Sequence, residues 1–189
     1  MRLFIAVEIP ADARERLAEV GAFSRERSWR WVAPENVHLT LKFLGEVEPE
    51  LQAEIRAALV GAAASTAPFE AALAGLGTLP SGRRPPRVLF ADLSAGHAGL
   101  GELRRAVETT LEPLGFPKEG RPFRPHATLA RVRRGSRPRD VAELRGRFAG
   151  VEFGRWECAA VILYQSVLGR GGPRYSVLDE FPLGGSDSR

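Results

Sequence analysis

The chain has 189 residues, 44% hydrophobic and 26% charged, an ordinary globular balance and enough length to bury a core without covalent staples. A single cysteine, Cys158, excludes an internal disulfide and a cysteine-rich zinc site, and no apolar run is long enough to span a bilayer as a helix. The net charge of +4 is unevenly placed: Lys118 to Arg155 holds eleven basic and four acidic residues, a segment of +7 suited to a polyanion, against −3 elsewhere.

In chain order, Arg2 to Ile9 is an apolar run closed by Pro10 and predicts a strand, with no cleavage-site pattern behind it. Ala13, Leu17, Val20 and Phe23 share helical spacing and predict a helix from Ala11 to about Arg27. A short strand over Trp29–Val32 and a turn at Pro34–Asn36 come next, then an alternating strand from Val37 to Leu44. Pro49 opens a helix running to about Ala64, and Phe69 to Leu79 is a strand. PSGRRPP, at 80–86, is a loop of breakers. The pattern then restarts with a strand at Arg87–Leu93 and a helix from Ala98 to Leu114. A loop, Gly115–Pro125, leads to a strand at His126–Val132 and a helix over Pro138–Phe148. One long strand or two fill Val151–Leu168, and Tyr175–Phe181 is the last.

Each half thus reads strand, helix, strand, helix, strand. The predicted fold is α+β and bilobal: two pseudo-symmetric lobes, each an antiparallel sheet with helices on its outer face, and a cleft between them. One domain is expected over residues 1–183, its duplicated halves falling roughly at 1–80 and 87–183, with a disordered tail at 184–189.

The halves share a motif. Residues 38–41 read HLTL and residues 126–129 read HATL, in a chain with three histidines and six threonines. Two such His-x-Thr spacings arise by chance only roughly 0.3% of the time, so the repeat calls for a cause. On a strand, His38 and Thr40 share one face and Leu39 and Leu41 the other; His126 and Thr128 do the same against Ala127 and Leu129. With the leucines in the cores, two imidazoles and two hydroxyls converge on the cleft. Imidazoles can divide acid and base work near neutral pH, and hydroxyls can hold phosphate oxygens without adding charge. No His-Glu-x-x-His helix and no nucleotide-triphosphate loop is present in the sequence. The set points to acid–base chemistry on a phosphodiester, with no metal and no cofactor expected.

These motifs, with RLFIAVEIP, WVAPENVHLTLKFLGEV, PRVLFADL, RPFRPHATLARV and GGPRYSVLDEFPL, resemble the 2H phosphoesterase superfamily. Within it, the chain is similar to the bacterial and archaeal RNA 2′,3′-cyclic phosphodiesterases, the LigT-like 2′-5′ RNA ligases, over nearly its whole length. The resemblance implies hydrolysis of a terminal 2′,3′-cyclic phosphate on RNA to a 2′-phosphomonoester, with reversible 2′-5′ ligation as a second outcome. It implies His38 as proton donor, His126 as proton acceptor, and Thr40 and Thr128 on the phosphate oxygens. The partner implied is RNA, tRNA fragments being one candidate, and a monomeric cytoplasmic protein with no membrane contact is expected. Two other readings stay open: a non-catalytic RNA-binding module, and a phosphodiesterase acting on small cyclic nucleotides or 2′-5′ oligonucleotides.

By strand parity Arg124 shares the face of His126, and Lys42 continues the face of His38 and Thr40. Both are candidate substrate contacts, as is Tyr175 behind a Gly-rich turn. The same parity places Arg131 and Phe43 on the opposite, core-side face. Trp29, Trp31 and Trp156 are expected in the core or between lobes, and Cys158 as a small core residue.

Overall fold

A computed structural model of the protein describes residues 1–82, 84–169 and 172–184. Its nine strands are β1 (Arg2–Glu8), β2 (Trp29–Trp31), β3 (His38–Glu46), β4 (Phe69–Leu79), β5 (Val88–Ala95), β6 (His126–Val132), β7 (Glu152–Cys158), β8 (Ala160–Gly169) and β9 (Gly172–Pro182). The helices are α1 (Ala11–Phe23), α2 (Gln52–Ala64), α3 (His97–Leu111) and α4 (Val141–Arg147). Single 3₁₀ turns precede α2 and follow α3.

The strands form one sheet in the order β7-β4-β5-β6-β3-β1-β8-β9, with β2 also on β6. Every pairing is antiparallel, and the sheet curls into a half-barrel. The two lobes of the expected α+β fold are the two ends of this sheet, joined where β3 meets β6. Each lobe draws on both halves of the chain. β4 follows α2 but pairs with β5, while β8 returns to pair with β1.

Of the four residues that spacing placed on one face of the first helix, Ala13, Leu17 and Val20 are buried and Phe23, at its end, is exposed; α2 buries Ile55 and Leu59, and α3 buries Leu100, Leu103, Val107 and Leu111. One apolar core runs under both lobes. A second, smaller cluster, Phe4, Ala6, Ile162 and Tyr164, lies apart from it with Tyr175 packed against it. Trp29 is buried, with its indole N–H donated to Asp140 at 2.9 Å. The Ser24 hydroxyl donates to the same carboxylate. That anchoring accounts for two boundaries: α1 stops at Phe23 instead of reaching Arg27, and α4 starts only after Asp140. Cys158 is buried, which pushes its thiol up to about 12. Among the described residues no helix is long and apolar enough to cross a membrane. The tail expected from 184 onward lies, past Gly184, outside the described residues.

Candidate active site

The two motif strands meet at one residue pair, Leu39 opposite Ala127. Both side chains are buried in the core. In an antiparallel ladder the flanking residues then face each other on the opposite surface, His38 toward Thr128 and Thr40 toward His126. By strand parity that pair sets His38, Thr40, His126 and Thr128 on one surface of the sheet, around the junction of the two motif strands.

The two copies agree in finer detail. His38 Nδ1 lies 2.8 Å from the carbonyl oxygen of Asn36, and His126 Nδ1 lies 2.7 Å from that of Arg124. A carbonyl can only accept, so both Nδ1 atoms carry hydrogen. Each neutral ring therefore has a bare Nε2 free to take a proton. Each ring also rests on a phenylalanine: Phe4 is 4.8 Å from His38 and Phe90 is 4.9 Å from His126, centroid to centroid.

The burial sequence along both strands is also the same. From each histidine it runs half-buried, buried, half-buried, buried, buried, exposed. Two adjacent buried residues break the alternation of a regular strand, and the register gives the reason. Ala6 pairs with Thr40 but Ile5 with Lys42, leaving Leu41 as an extra residue. Phe90 pairs with Thr128 but Leu89 with Ala130, leaving Leu129 as an extra residue. These are β-bulges at the same place in both motifs, and each reverses the facing of the residues beyond it.

The bulges correct three assignments made from parity. Lys42 does not continue the face of His38; it is 3% exposed. Its ammonium donates to the Pro117 carbonyl at 2.7 Å and lies 4.0 Å from Glu108. Glu108 also accepts from Arg104 at 3.0 Å and from the Glu119 amide at 3.1 Å. Lys42 thus ties down the loop before β6. Phe43 is not a core residue but 62% exposed, and it lines the same cavity as His38. Arg131, assigned to the far face, lines that cavity too.

The cavity has a volume of about 440 Å³, and His38, Thr40, Thr128, Phe43, Arg131 and Tyr175 are on its wall. His126 is not part of the wall itself; it stands two residues before Thr128 on the same strand face. The Tyr175 ring meets His38 edge-on at 5.3 Å. The Arg124 side chain is not among the residues that line this cavity. It lies 3.8 Å from Asp92 and over the Phe90 ring, and what it offers the motif is its carbonyl on His126. No signal in the sequence marks either bulge: Lys42 after Leu41 continues the polar and apolar alternation of His38 to Thr40.

The two histidines differ in environment. His38 sits among Phe4, Tyr164 and Tyr175. Loss of water there lowers its pKa from 6.5 to about 4, with the Asn36 carbonyl offsetting part of the effect. Burial likewise raises the Tyr164 hydroxyl to about 12, and Tyr175 rises from its ordinary value for the same reason, the nearby Arg131, Arg2 and Arg30 opposing it.

An antiparallel half-barrel with two matched His-Thr pairs at its centre is the architecture of a two-histidine phosphoesterase. The chain matches the family described as LigT like Phosphoesterase over residues 3–90 and 93–175, and it belongs to that family. It is 39% identical to an RNA 2′,3′-cyclic phosphodiesterase of Thermus thermophilus, covering 100% of this chain and 93% of that one. It is 36% identical to one of Geobacillus stearothermophilus over 98% of this chain, but spans only 59% of that relative's length. Among solved structures, the Thermus thermophilus protein TT0787 superposes with a TM-score of 0.82 at 36% identity, covering 98% of this chain and 100% of that one.

Proposed function

We propose that the protein hydrolyses terminal 2′,3′-cyclic phosphates on RNA to 2′-phosphomonoesters, without a metal, by dividing proton transfer between His126 and His38. The observation that carries this reading is the matched pair of imidazoles, each locked through Nδ1 with Nε2 left free. The names of the relatives support the substrate.

In this scheme Nε2 of neutral His126 takes a proton from water as the water oxygen attacks phosphorus. The bond from phosphorus to the ribose 3′-oxygen breaks, and protonated His38 gives its Nε2 proton to that oxygen. Thr40 and Thr128 donate hydrogen bonds to the non-bridging oxygens as charge grows there, and Arg131 supplies positive charge. With a 5′-hydroxyl in place of water as the attacking group, the same step forms a 2′-5′ linkage: His126 takes the hydroxyl proton, the bond from phosphorus to the 3′-oxygen breaks, and His38 protonates that oxygen. Phe43 and Arg131 occupy equivalent positions in the two motifs yet differ in chemistry. An aromatic face on one side and a guanidinium on the other favour one orientation of the nucleotide, base toward Phe43.

Burial disfavours the charged His38 that the scheme needs, and the substrate itself supplies the remedy. A phosphodiester anion about 4 Å from the ring, at an effective dielectric constant of about 20, is worth about 4 kcal/mol. That is enough to offset a fall from 6.5 to about 4.

The test is turnover of an oligonucleotide ending in 2′,3′-cyclic phosphate by His38→Ala and His126→Ala, with product isomers separated by chromatography. Each variant is expected to lose at least about 10³-fold in kcat/KM while keeping its fold, and the wild type to release the 2′-phosphate. Full activity in either variant refutes the two-histidine scheme. RNA binding without turnover by the wild type would favour a binding module instead.

A further inference from the structure

The catalytic face does not end at Arg131. Strand β2 pairs with the far end of β6, with Arg30 directly opposite Arg131. Cross-strand partners share a face, so the two guanidiniums lie side by side on the cavity wall. Arg133 comes two residues further on, and its Nε donates to the Trp29 carbonyl at 3.2 Å. That bond fixes the base of the fork and leaves its outer nitrogens free. Arg30 and Arg133 line the same cavity as His38, Thr40 and Thr128.

Three like charges on adjacent strand positions repel one another, and such clusters are usually relieved by interspersed carboxylates. Arg14, Arg56, Arg104, Arg124 and Arg155 are relieved in this way, each in an ion pair. Among the described residues, Arg30, Arg131 and Arg133 have no such partner within the ion-pair distance. Three guanidiniums without a carboxylate partner therefore line one cavity together with the motif threonines. The anchor beneath it is rigid, because Trp29 is buried and held through Asp140.

Along β6, Arg131 and Arg133 stand three and five residues past Thr128, about 10 to 16 Å of strand. A cyclic phosphate held by the threonines occupies the 2′ and 3′ oxygens of the terminal ribose. The next phosphate of an RNA chain is attached through the 5′-oxygen of that same ribose, so it leaves the site on another side. We propose that Arg30 and Arg133 form a second phosphate subsite that takes this internucleotide phosphate, so that the protein selects RNA ends over 2′,3′-cyclic mononucleotides. The inference rests on the RNA-end reading above and adds the residues that measure chain length.

The experiment compares a 2′,3′-cyclic mononucleotide with a dinucleotide ending in the same cyclic phosphate, using wild type and the double variant Arg30→Gln, Arg133→Gln. The wild type is expected to favour the dinucleotide. The double variant is expected to lose roughly 10- to 100-fold in kcat/KM on the dinucleotide and to leave the mononucleotide rate unchanged. Its salt dependence on the dinucleotide should flatten as well, since fewer counterions are displaced. Equal use of both substrates by the wild type overturns the subsite, as does an equal loss on both in the variant. Turnover of neither substrate by the wild type would instead bring down the RNA-end reading, and the subsite with it.

Discussion

Protonation of His38 is the step that the free protein resists most, and it can be measured directly. With the imidazole against Phe4, Tyr164 and Tyr175, titration of the free protein followed by NMR at the histidine ring carbons should show one histidine with a midpoint near 4. Saturating inorganic phosphate should return that midpoint to about 6 to 7, given about 4 kcal/mol of attraction at close range. The same shift has a thermodynamic consequence. Folded His38 stays neutral while the unfolded chain takes up a proton below about 6.5, so this contribution to stability is complete above that pH and is lost as pH falls toward 4. At pH 4.5 the loss amounts to about 2 to 3 kcal/mol. Replacing His38 with Asn removes the titrating group. Urea unfolding at pH 7.5 and pH 4.5 should therefore show the wild type losing that much more than His38→Asn on acidification. A free-protein midpoint near 6.5, or equal acid losses in the two proteins, would refute the account of a desolvated imidazole.

Lys42→Ala is expected to cost about 3 to 5 kcal/mol in stability, because Glu108 loses a buried cationic neighbour and the Pro117 carbonyl loses its donor; denaturant unfolding measures it. Gly77→Ala drives a methyl group into the Phe90 ring, which in turn supports His126. A loss of about 1 to 3 kcal/mol is expected together with a fall in kcat, read by thermal melts and steady-state kinetics. Asn36→Ala removes the side-chain bond from Asn36 to the Pro173 carbonyl at 3.0 Å while keeping the carbonyl that holds His38. Faster amide exchange across β9 near Tyr175 and a raised KM are expected, with the His38 tautomer unchanged by NMR. Activity should persist in EDTA; complete loss that a divalent ion restores would contradict the metal-free scheme.

The motif itself was legible in the sequence because it lies before the irregularity. From His38 to Thr40 and from His126 to Thr128 each strand alternates regularly, so parity put imidazoles and hydroxyls on one face and Leu39 and Ala127 in the core, where they are. Helix positions Ala13, Leu17 and Val20 emerged from spacing for the same reason: a regular backbone makes facing a function of number. Past Leu41 and Leu129 that relation fails. A bulge adds one residue without changing composition, so nothing in LKF or LAR announces it, and Lys42, Phe43 and Arg131 were each placed on the wrong face. The Arg124 side chain escaped for another reason. It lies in a loop, where its neighbours Asp92 and Phe90 come from a strand more than thirty residues earlier.

The exchange of strands between lobes also makes the two halves of the chain depend on each other. A chain cut in the loop at 80–86 would leave the first fragment with β4 but without β5, and with β1 deprived of β8. Each fragment would carry unpaired strand edges, the feature that drives chains to associate. In the intact chain these edges are covered, because β4 lies between β5 and β7 and β8 lies between β1 and β9. The two fragments expressed separately remain natural partners for reassembly.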